Sequence, residues 1–218
     1  MKKMRFLRIP GLVILVSILT LNLPGSAQDI PDQATLKAHA PKMFRVLFTT
    51  TKGDFTLEVR REWSPAGADR LWQLVTTGFY TQNSLFRVQK GYVVQFGISD
   101  RKDVNYFWDR RPIPDEEVRT SNRRGTVAYA RDGMNSRTAQ LFINLKDNPK
   151  LDTVNFNGLR GFSPVGEITE GFSTIEALNG EYGFEPANHQ DSVMTLGNRY
   201  LKIKFPGLDY ILNARILE

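Results

Sequence analysis

Leu85-Phe86-Arg87-Val88-Gln89-Lys90-Gly91-Tyr92-Val93-Val94-Gln95-Phe96-Gly97 is the stretch on which the reading of this chain turns. Two apolar, strand-forming runs flank Gln89-Lys90-Gly91, a polar turn that ends in glycine. Each run carries one large polar side chain, Arg87 in the first and Gln95 in the second. Strand side chains alternate between faces, so a hairpin here can bring Arg87 and Gln95 to one face beside the ring of Tyr92. An arginine among apolar residues needs acceptors or water, because an unpaired buried charge is very costly. Taken alone, the stretch reads as an edge strand with a solvated arginine.

On its N-terminal side, Met43–Thr51 and Asp54–Arg60 flank a Lys52-Gly53 turn and read as an antiparallel hairpin with one buried face. Ser64-Pro65 is a helix start, with serine as N-cap; Ala68, Leu71, Trp72 and Val75 follow at helical spacing, and Gly78 ends the element. On its C-terminal side, residues 98–124 read as a charged loop containing Arg111-Pro112-Ile113-Pro114. Gly125–Ala130 and Gln140–Leu145 are strands joined by a polar loop with Gly133, Asn135 and Ser136, and residues 147–161 read as irregular. Val165–Ile168 is a short strand, Gly171–Leu178 and Gly197–Lys204 are helices, Tyr182–Gln190 is a loop, and Asp209–Leu217 is β-rich. Short strands dominate and no repeat or internal linker interrupts them. One domain over residues 42–218 is expected, with an antiparallel sheet closed or nearly closed on itself so that few edges are exposed. Residues 28–41, polar and rich in small side chains, read as a flexible leader or a short helix.

The formal charge of +6 over 218 residues is concentrated at the N-terminus. Residues 1–27 hold Lys2, Lys3, Arg5 and Arg8 and no acid; without them 25 basic and 23 acidic residues remain, a net of +2. No concentrated basic stripe is left to contact phosphates, so no nucleic-acid partner is expected. The same segment has a basic start, an apolar run over Leu12–Leu21 and the small-residue end Pro24-Gly25-Ser26-Ala27, the three parts of a secretory signal. The run falls short of the roughly 20 residues of a bilayer span. The expectation is an exported, periplasmic or secreted protein, cleaved after Ala27 and without a stable membrane span, an uncleaved N-terminal anchor being the alternative. With no cysteine, disulfides, thiolate catalysis and lipid attachment through an N-terminal cysteine are excluded.

Familiar catalytic signatures are missing. There is no G-x-S-x-G, G-x-G-x-x-G, G-x-x-x-x-G-K or H-E-x-x-H, and the two histidines, His39 and His189, fall in the leader and in a loop. A histidine-containing triad or a zinc site is not expected on this inventory. Trp63 and Trp72 flank a helix and Trp108 lies in a loop, an arrangement that offers no sugar platform for a glycosidase or lectin.

A second block, Gly125-Thr126-Val127-Ala128-Tyr129-Ala130 through Arg131–Ala139 to Gln140-Leu141-Phe142-Ile143-Asn144, completes the reading. Phe86-Arg87-Val88, Gly91-Tyr92-Val93-Val94-Gln95-Phe96-Gly97 and this block together resemble the signature of cyclophilin-type peptidyl-prolyl isomerases. That signature reads F-H/R-R-x-x-x-G-F-M-x-Q-G-G, then a strand, a G-P-N-T-like loop and S-Q-F-F-I. Order and spacing agree without a gap inside either block, and the resemblance runs from about Met43 to at least Ile175. It implies a mainly β fold, a closed antiparallel barrel of about eight strands capped by two or three helices. Position by position, it places Arg87 on the catalytic arginine and Gln95 on the glutamine that anchors the substrate backbone beside it. Tyr92 and Val93 stand at the phenylalanine and methionine of the proline pocket, Gln140 and Phe142 at the glutamine and second phenylalanine of S-Q-F-F-I, and Leu151 at the pocket leucine. Ala130 and Arg131 lie where the substrate backbone binds, Arg131 replacing an asparagine, and Phe162 stands where many members carry histidine or tyrosine. Lys150 replaces an aromatic residue, often tryptophan, associated with cyclosporin binding, and Met134 replaces a loop proline. From about Gly180 the match to the family core is weaker.

The residue types suit the implied chemistry. Resonance gives the peptide C–N bond a rotational barrier of ~18–20 kcal/mol. At Xaa–Pro both isomers are populated, yet they exchange over tens to hundreds of seconds. No bond breaks, so no nucleophile, metal or cofactor is required. In the twisted state the prolyl nitrogen regains a lone pair, and a fixed arginine N–H aimed at it favours that state over the planar one. The expected partners are proline-containing polypeptides, met by a monomer. A proline-peptide binding module or chaperone on the same scaffold, with weak or no catalysis, is the alternative reading.

Overall fold

The computed structural model describes residues 30–156 and 158–217. The proposed signal segment, residues 1–27, lies outside them. The organising hairpin is formed by β1 (Met43–Thr50) and β2 (Gly53–Arg60), paired from Met43↔Arg60 to Thr50↔Gly53. Phe44, Val46 and Phe48 of β1 and Phe55, Leu57 and Val59 of β2 are buried, the period-two pattern of a half-covered sheet. The other strands are β3 (Asn83–Ser84), β4 (Arg87–Gln89), β5 (Val93–Phe96), β6 (Thr126–Tyr129), β7 (Leu141–Asn144), β8 (Asn155–Phe156), β9 (Leu159–Arg160), β10 (Pro164–Glu170) and β11 (Tyr210–Leu217). β8 and β9 form a separate small ribbon, and the other nine make one antiparallel sheet in the order β3-β11-β1-β2-β10-β6-β7-β5-β4.

That sheet is a curled half-barrel, and the expectation of a closed barrel of about eight strands is corrected here. Its two edge strands, β3 and β4, are separated in sequence only by Leu85 and Phe86, yet no ladder joins them. Single hydrogen bonds tie down the seam instead: Leu85 N donates to Asp209 O at 3.0 Å, and Gly97 N donates to Asn83 Oδ1 at 2.8 Å. Strands of two and three residues leave few unpaired groups at the edges, which is how the open sheet is kept from pairing with other chains.

The helices are α1 (Gln33–Leu36), α2 (Pro65–Thr76), α3 (Lys102–Asp109), α4 (Phe172–Glu176), α5 (Gln190–Leu196) and α6 (Asn198–Lys204). α2 starts at Pro65 and closes as a Schellman motif, with Gly78 at φ 66° and Phe79 N donating to Leu74 O at 2.9 Å. Ser64 does sit at its N-cap position, but its hydroxyl donates to Glu116, and the carboxylate of Glu116 accepts from Ala66 N at 2.8 Å and Gly67 N at 3.3 Å. A full negative charge is the stronger acceptor at a helix N-terminus, so the remote glutamate displaces the serine as cap.

α3 corrects the reading of residues 98–124 as a loop. Val104 and Trp108, four residues apart, face the core, while the adjacent aromatic residues Tyr106 and Phe107 blur the helical period. Trp108 is therefore a buried helical residue rather than a loop residue, and the Arg70 guanidinium lies 4.9 Å from its ring. Residues 30–41, read as a flexible leader or a short helix, contain α1 and pack on α2: Gln73 Nε2 donates to Leu36 O and Ala38 O, and Asp69 holds His39 and the Ala40 amide. The main core sits between the concave sheet and α2, where Phe48 stacks on Phe55 at 4.9 Å. A second, smaller core of Val193, Leu201, Phe205 and Leu208 packs the C-terminal segment onto Phe86 and Ile98. Among the described residues, no helix is long and apolar enough to cross a membrane.

Candidate active site

β4 and β5 form a hairpin whose turn is closed by Tyr92 N donating to Gln89 O at 3.0 Å, with Gly91 at φ 68°. The register places Arg87 directly opposite Gln95, so both side chains share one face. The same lateral row continues through Phe142 of β7 to Ala128 of β6. A charged donor, an amide and an aromatic ring thus stand side by side because they occupy paired positions on neighbouring strands. Gly97 brings Gln140 close: a Cβ there would stand 2.5 Å from Ala139 O and Gln140 Cα, so only glycine lets the two segments meet.

Val93, Ala128 and Phe142 form a small buried cluster, with Tyr92, Ala130, Leu151 and Phe162 packed around it. The Phe142 and Phe162 rings meet edge to face at 5.6 Å. This cluster is the floor of an open cavity of about 370 Å³, bordered by Arg87, Gln95 and Arg131 as well as by the apolar residues. Nine of the ten site residues expected from sequence (Arg87, Tyr92, Val93, Gln95, Ala130, Arg131, Phe142, Leu151 and Phe162) line it. The tenth, Gln140, lines a smaller adjoining cavity shared with Gln95, Ala130 and Arg131, its Oε1 accepting from Gln95 Nε2 at 2.9 Å.

The Arg87 guanidinium is half-buried in the wall. Its Nη1 donates to Gln95 Oε1 at 3.0 Å and its Nη2 to Gln89 Oε1 at 2.9 Å, while the buried Nε–H has no partner among the described residues. Rings lie over it from Tyr92 at 5.6 Å and Phe184 at 4.6 Å. Burial lowers its pKa from the ordinary arginine value, partly countered by the Tyr92 hydroxyl, and the group remains charged throughout the physiological range.

Arg131 turns away from the cavity mouth. Its side chain is only 3% exposed, pairs with Asp115, donates to Gly161 O and covers the Phe162 ring at 5.2 Å. Its side chain thus braces the wall from behind. Leu151 and Phe162 are held in turn by Phe162 N donating to Leu151 O at 2.8 Å, and by Asn122, whose Nδ2 donates to Asp152 Oδ1 and Phe162 O, each at 2.8 Å. Burial raises the Asp152 carboxyl, but hydrogen bonds from Ser121 and Asn122 outweigh it and keep the pKa below the usual value.

Sequence reasoning missed Asp132, Phe184, Ala187 and Gln190, which also border the cavity. The last three come from the segment read as a loop around His189, where a 3-10 turn over Glu185–His189 leads into α5. Both histidines lie outside the cavity lining, His39 paired with Asp69 and His189 with Glu185 and Tyr200. Among the described residues, no three His, Asp or Glu side chains come together in a way that could hold a metal ion.

Residues 45–196 match the family model described as cyclophilin type peptidyl-prolyl cis-trans isomerase/CLD. The chain belongs to this family. It is 30% identical over 176 residues to peptidyl-prolyl cis-trans isomerase A of Dickeya dadantii (strain 3937), covering 79% of this chain and 84% of that protein. Identity to peptidyl-prolyl cis-trans isomerase B of Escherichia coli (strain K12) is 29% over 152 residues, 67% of this chain and 90% of that one. A crystal structure of a Cryptosporidium parvum cyclophilin type peptidyl-prolyl cis-trans isomerase superposes with a TM-score of 0.59 at 18% identity, covering 81% of this chain and 98% of that one. At that identity the superposition speaks for the fold, a cyclophilin-like curled sheet with helices. The cyclophilin family is an isomerase family, and this chain is one of its isomerases.

Proposed function

We propose that this cyclophilin accelerates the isomerisation of Xaa–Pro bonds in exported polypeptides, with the Arg87 cavity as its active site. The observation that carries the assignment is a charged, half-buried Arg87 whose Nη groups are fixed by two glutamines, each Nη keeping a second N–H, beside an apolar floor. The pyrrolidine ring fits against Phe142, Val93, Leu151 and Phe162. Gln95 and Gln140 orient the backbone on either side. The unspent donor capacity of Arg87 meets the prolyl nitrogen as the amide twists. A planar amide nitrogen offers no lone pair, so the interaction is made mainly in the transition state, where it raises turnover rather than affinity. Because no covalent bond is broken, the reaction needs neither metal nor cofactor, and one protomer suffices for it. Export is supported by the basic, apolar and small-residue succession of residues 1–27.

The test is the exchange rate of a short Xaa–Pro peptide with the purified protein and with Arg87→Ala. Catalysis in the parent and a large loss in the variant is the expected pair. Peptide binding without catalysis in the parent would move the assignment to a proline-peptide binding module, and an unaffected variant would place the active site elsewhere.

A further inference from the structure

Behind Arg87 runs a chain of side-chain amides with a single hydrogen-bonding sense. Arg87 Nη1 donates to Gln95 Oε1 at 3.0 Å, and Gln95 Nε2 donates to Gln140 Oε1 at 2.9 Å. Gln140 Nε2 donates to Gln190 Oε1 at 2.8 Å, and Gln190 Nε2 donates to the Ala187 carbonyl at 3.2 Å. The two ends fix the sense. A guanidinium can only donate and a backbone carbonyl can only accept, so each amide between them has one orientation that satisfies both neighbours. Without the far end, Gln140 is free to present its NH₂ group to Gln95, and Gln95 to present its own to Arg87, where donor would face donor.

The segment supplying that far end is bound tightly to the strand that carries Arg87. Val193, Leu201, Phe205 and Leu208 pack on Phe86, the residue before Arg87, and on Ile98. Six residues before Gln190, Phe184 lays its ring 4.6 Å from the Arg87 guanidinium while remaining 47% exposed at the cavity rim. The same stretch therefore reaches Arg87 from two directions, over its face and through the amide chain.

We propose that Gln190 is a positioning residue of the active site, holding the amides of Gln140 and Gln95 in the orientation that presents Arg87 to the twisted peptide bond. The inference rests on the assignment of Arg87 as the catalytic donor. Gln190 itself need not touch substrate. Its contribution is preorganisation, which appears in turnover because Arg87 acts in the transition state.

The deciding comparison is Gln190→Met against Gln190→Glu in the full protein. Methionine keeps the length and volume of the side chain and removes both hydrogen-bonding functions, whereas glutamate keeps an acceptor for Gln140 Nε2. Expected for Gln190→Met is a fall in kcat of about five- to tenfold with KM within about twofold, as for the loss of one net hydrogen bond. Gln190→Glu should stay within about threefold of the parent. In side-chain amide NMR, the NH₂ signals of Gln95 and Gln140, each hydrogen-bonded in the parent, should exchange faster in the methionine variant, a change that lost packing alone would not produce. Parental turnover in Gln190→Met, or equal losses in both variants, would overturn the proposal while leaving Arg87 untouched. An inactive parent, or an active Arg87→Ala, would instead remove the assignment beneath it.

Discussion

Arg87→Lys separates the charge of the guanidinium from its geometry. In the parent, Nη1 donates to Gln95 at 3.0 Å and Nη2 to Gln89 at 2.9 Å, and each of these nitrogens carries a second N–H, so one group binds its supports and keeps donors for the substrate. A lysine carries the same charge on a single ammonium. Two glutamine carbonyls lie within reach of that ammonium in its resting position, and it has no fork with which to hold them and a prolyl nitrogen at once. The variant should therefore lose one charge-assisted hydrogen bond in the twisted state, about 1.5–3 kcal/mol. At about 1.4 kcal/mol per decade, this is a fall in kcat of about 10- to 150-fold. KM should change less than about twofold, because the planar amide nitrogen makes no such bond. Arg87→Ala should fall further, since it also leaves Gln95 Oε1 without its donor. NMR exchange spectroscopy on an Xaa–Pro peptide, with peptide concentration varied, gives both parameters. Parental kcat in Arg87→Lys would show that any nearby cation suffices, and a raised KM at unchanged kcat would show that Arg87 binds ground and transition states alike.

Two further outcomes concern the framework around the site. Glu116→Ala removes the carboxylate that caps α2 and pairs with Arg137 Nη2 at 2.9 Å; the Arg137 side chain is 2% exposed and keeps Ser64 Oγ, the Pro114 carbonyl and Asp115 at 3.9 Å, so the loss of one charged partner should cost about 1–3 kcal/mol in denaturant unfolding, and a cost under about 0.5 kcal/mol would refute the role. Asp69 gives an acid-sensitive contribution: burial raises its carboxyl, but hydrogen bonds from Arg61, His39 and the Ala40 amide outweigh this and bring the pKa to about 2. A depressed folded-state pKa stabilises above the unfolded value near 4, and that stability is lost as pH falls from about 4 to about 2. The loss is about 1 kcal/mol once solvent screening is discounted, and Asp69→Asn should flatten this part of the stability profile; an unchanged slope would mean the carboxylate is not held as described.

The residues that carried the fold from sequence are those whose neighbours are local or strictly periodic. Phe55, Leu57 and Val59 alternate, Ala68, Leu71 and Val75 recur at helical spacing, and the Gln89–Tyr92 turn announces itself through Gly91, so β2, α2 and the β4–β5 hairpin were legible. α3 was not, because Val104, Tyr106, Phe107 and Trp108 cluster without a clean helical period and the burial of Val104 and Trp108 depends on a core assembled by other segments. The Arg87, Gln95 and Phe142 row was legible as a motif, its physical basis being the register that pairs Arg87 with Gln95 and Gln95 with Phe142. Phe184 and Gln190 carry no such signal. They reach the cavity through the packing of Val193, Leu201 and Phe205 on Phe86, a contact between residues far apart in sequence and without local pattern.

The open seam of the sheet and the position of Arg87 have one physical origin. Had β3 and β4 paired, Arg87 would lie on an interior strand with neighbours on both sides. As an edge strand, β4 has a ladder partner only in β5 among the described residues. One flank of Arg87 is therefore held by Gln95 and the row behind it, while the other is free of strand and available to Phe184 above the guanidinium. Apolar residues of the C-terminal segment pack on Phe86, which lies between the two edge strands. Closing the sheet by hydrogen bonds would satisfy two edges and remove the gap through which that segment reaches Arg87. The half-barrel thus places a charged side chain at a boundary, dry enough on one side to be fixed and open enough on the other to meet a peptide.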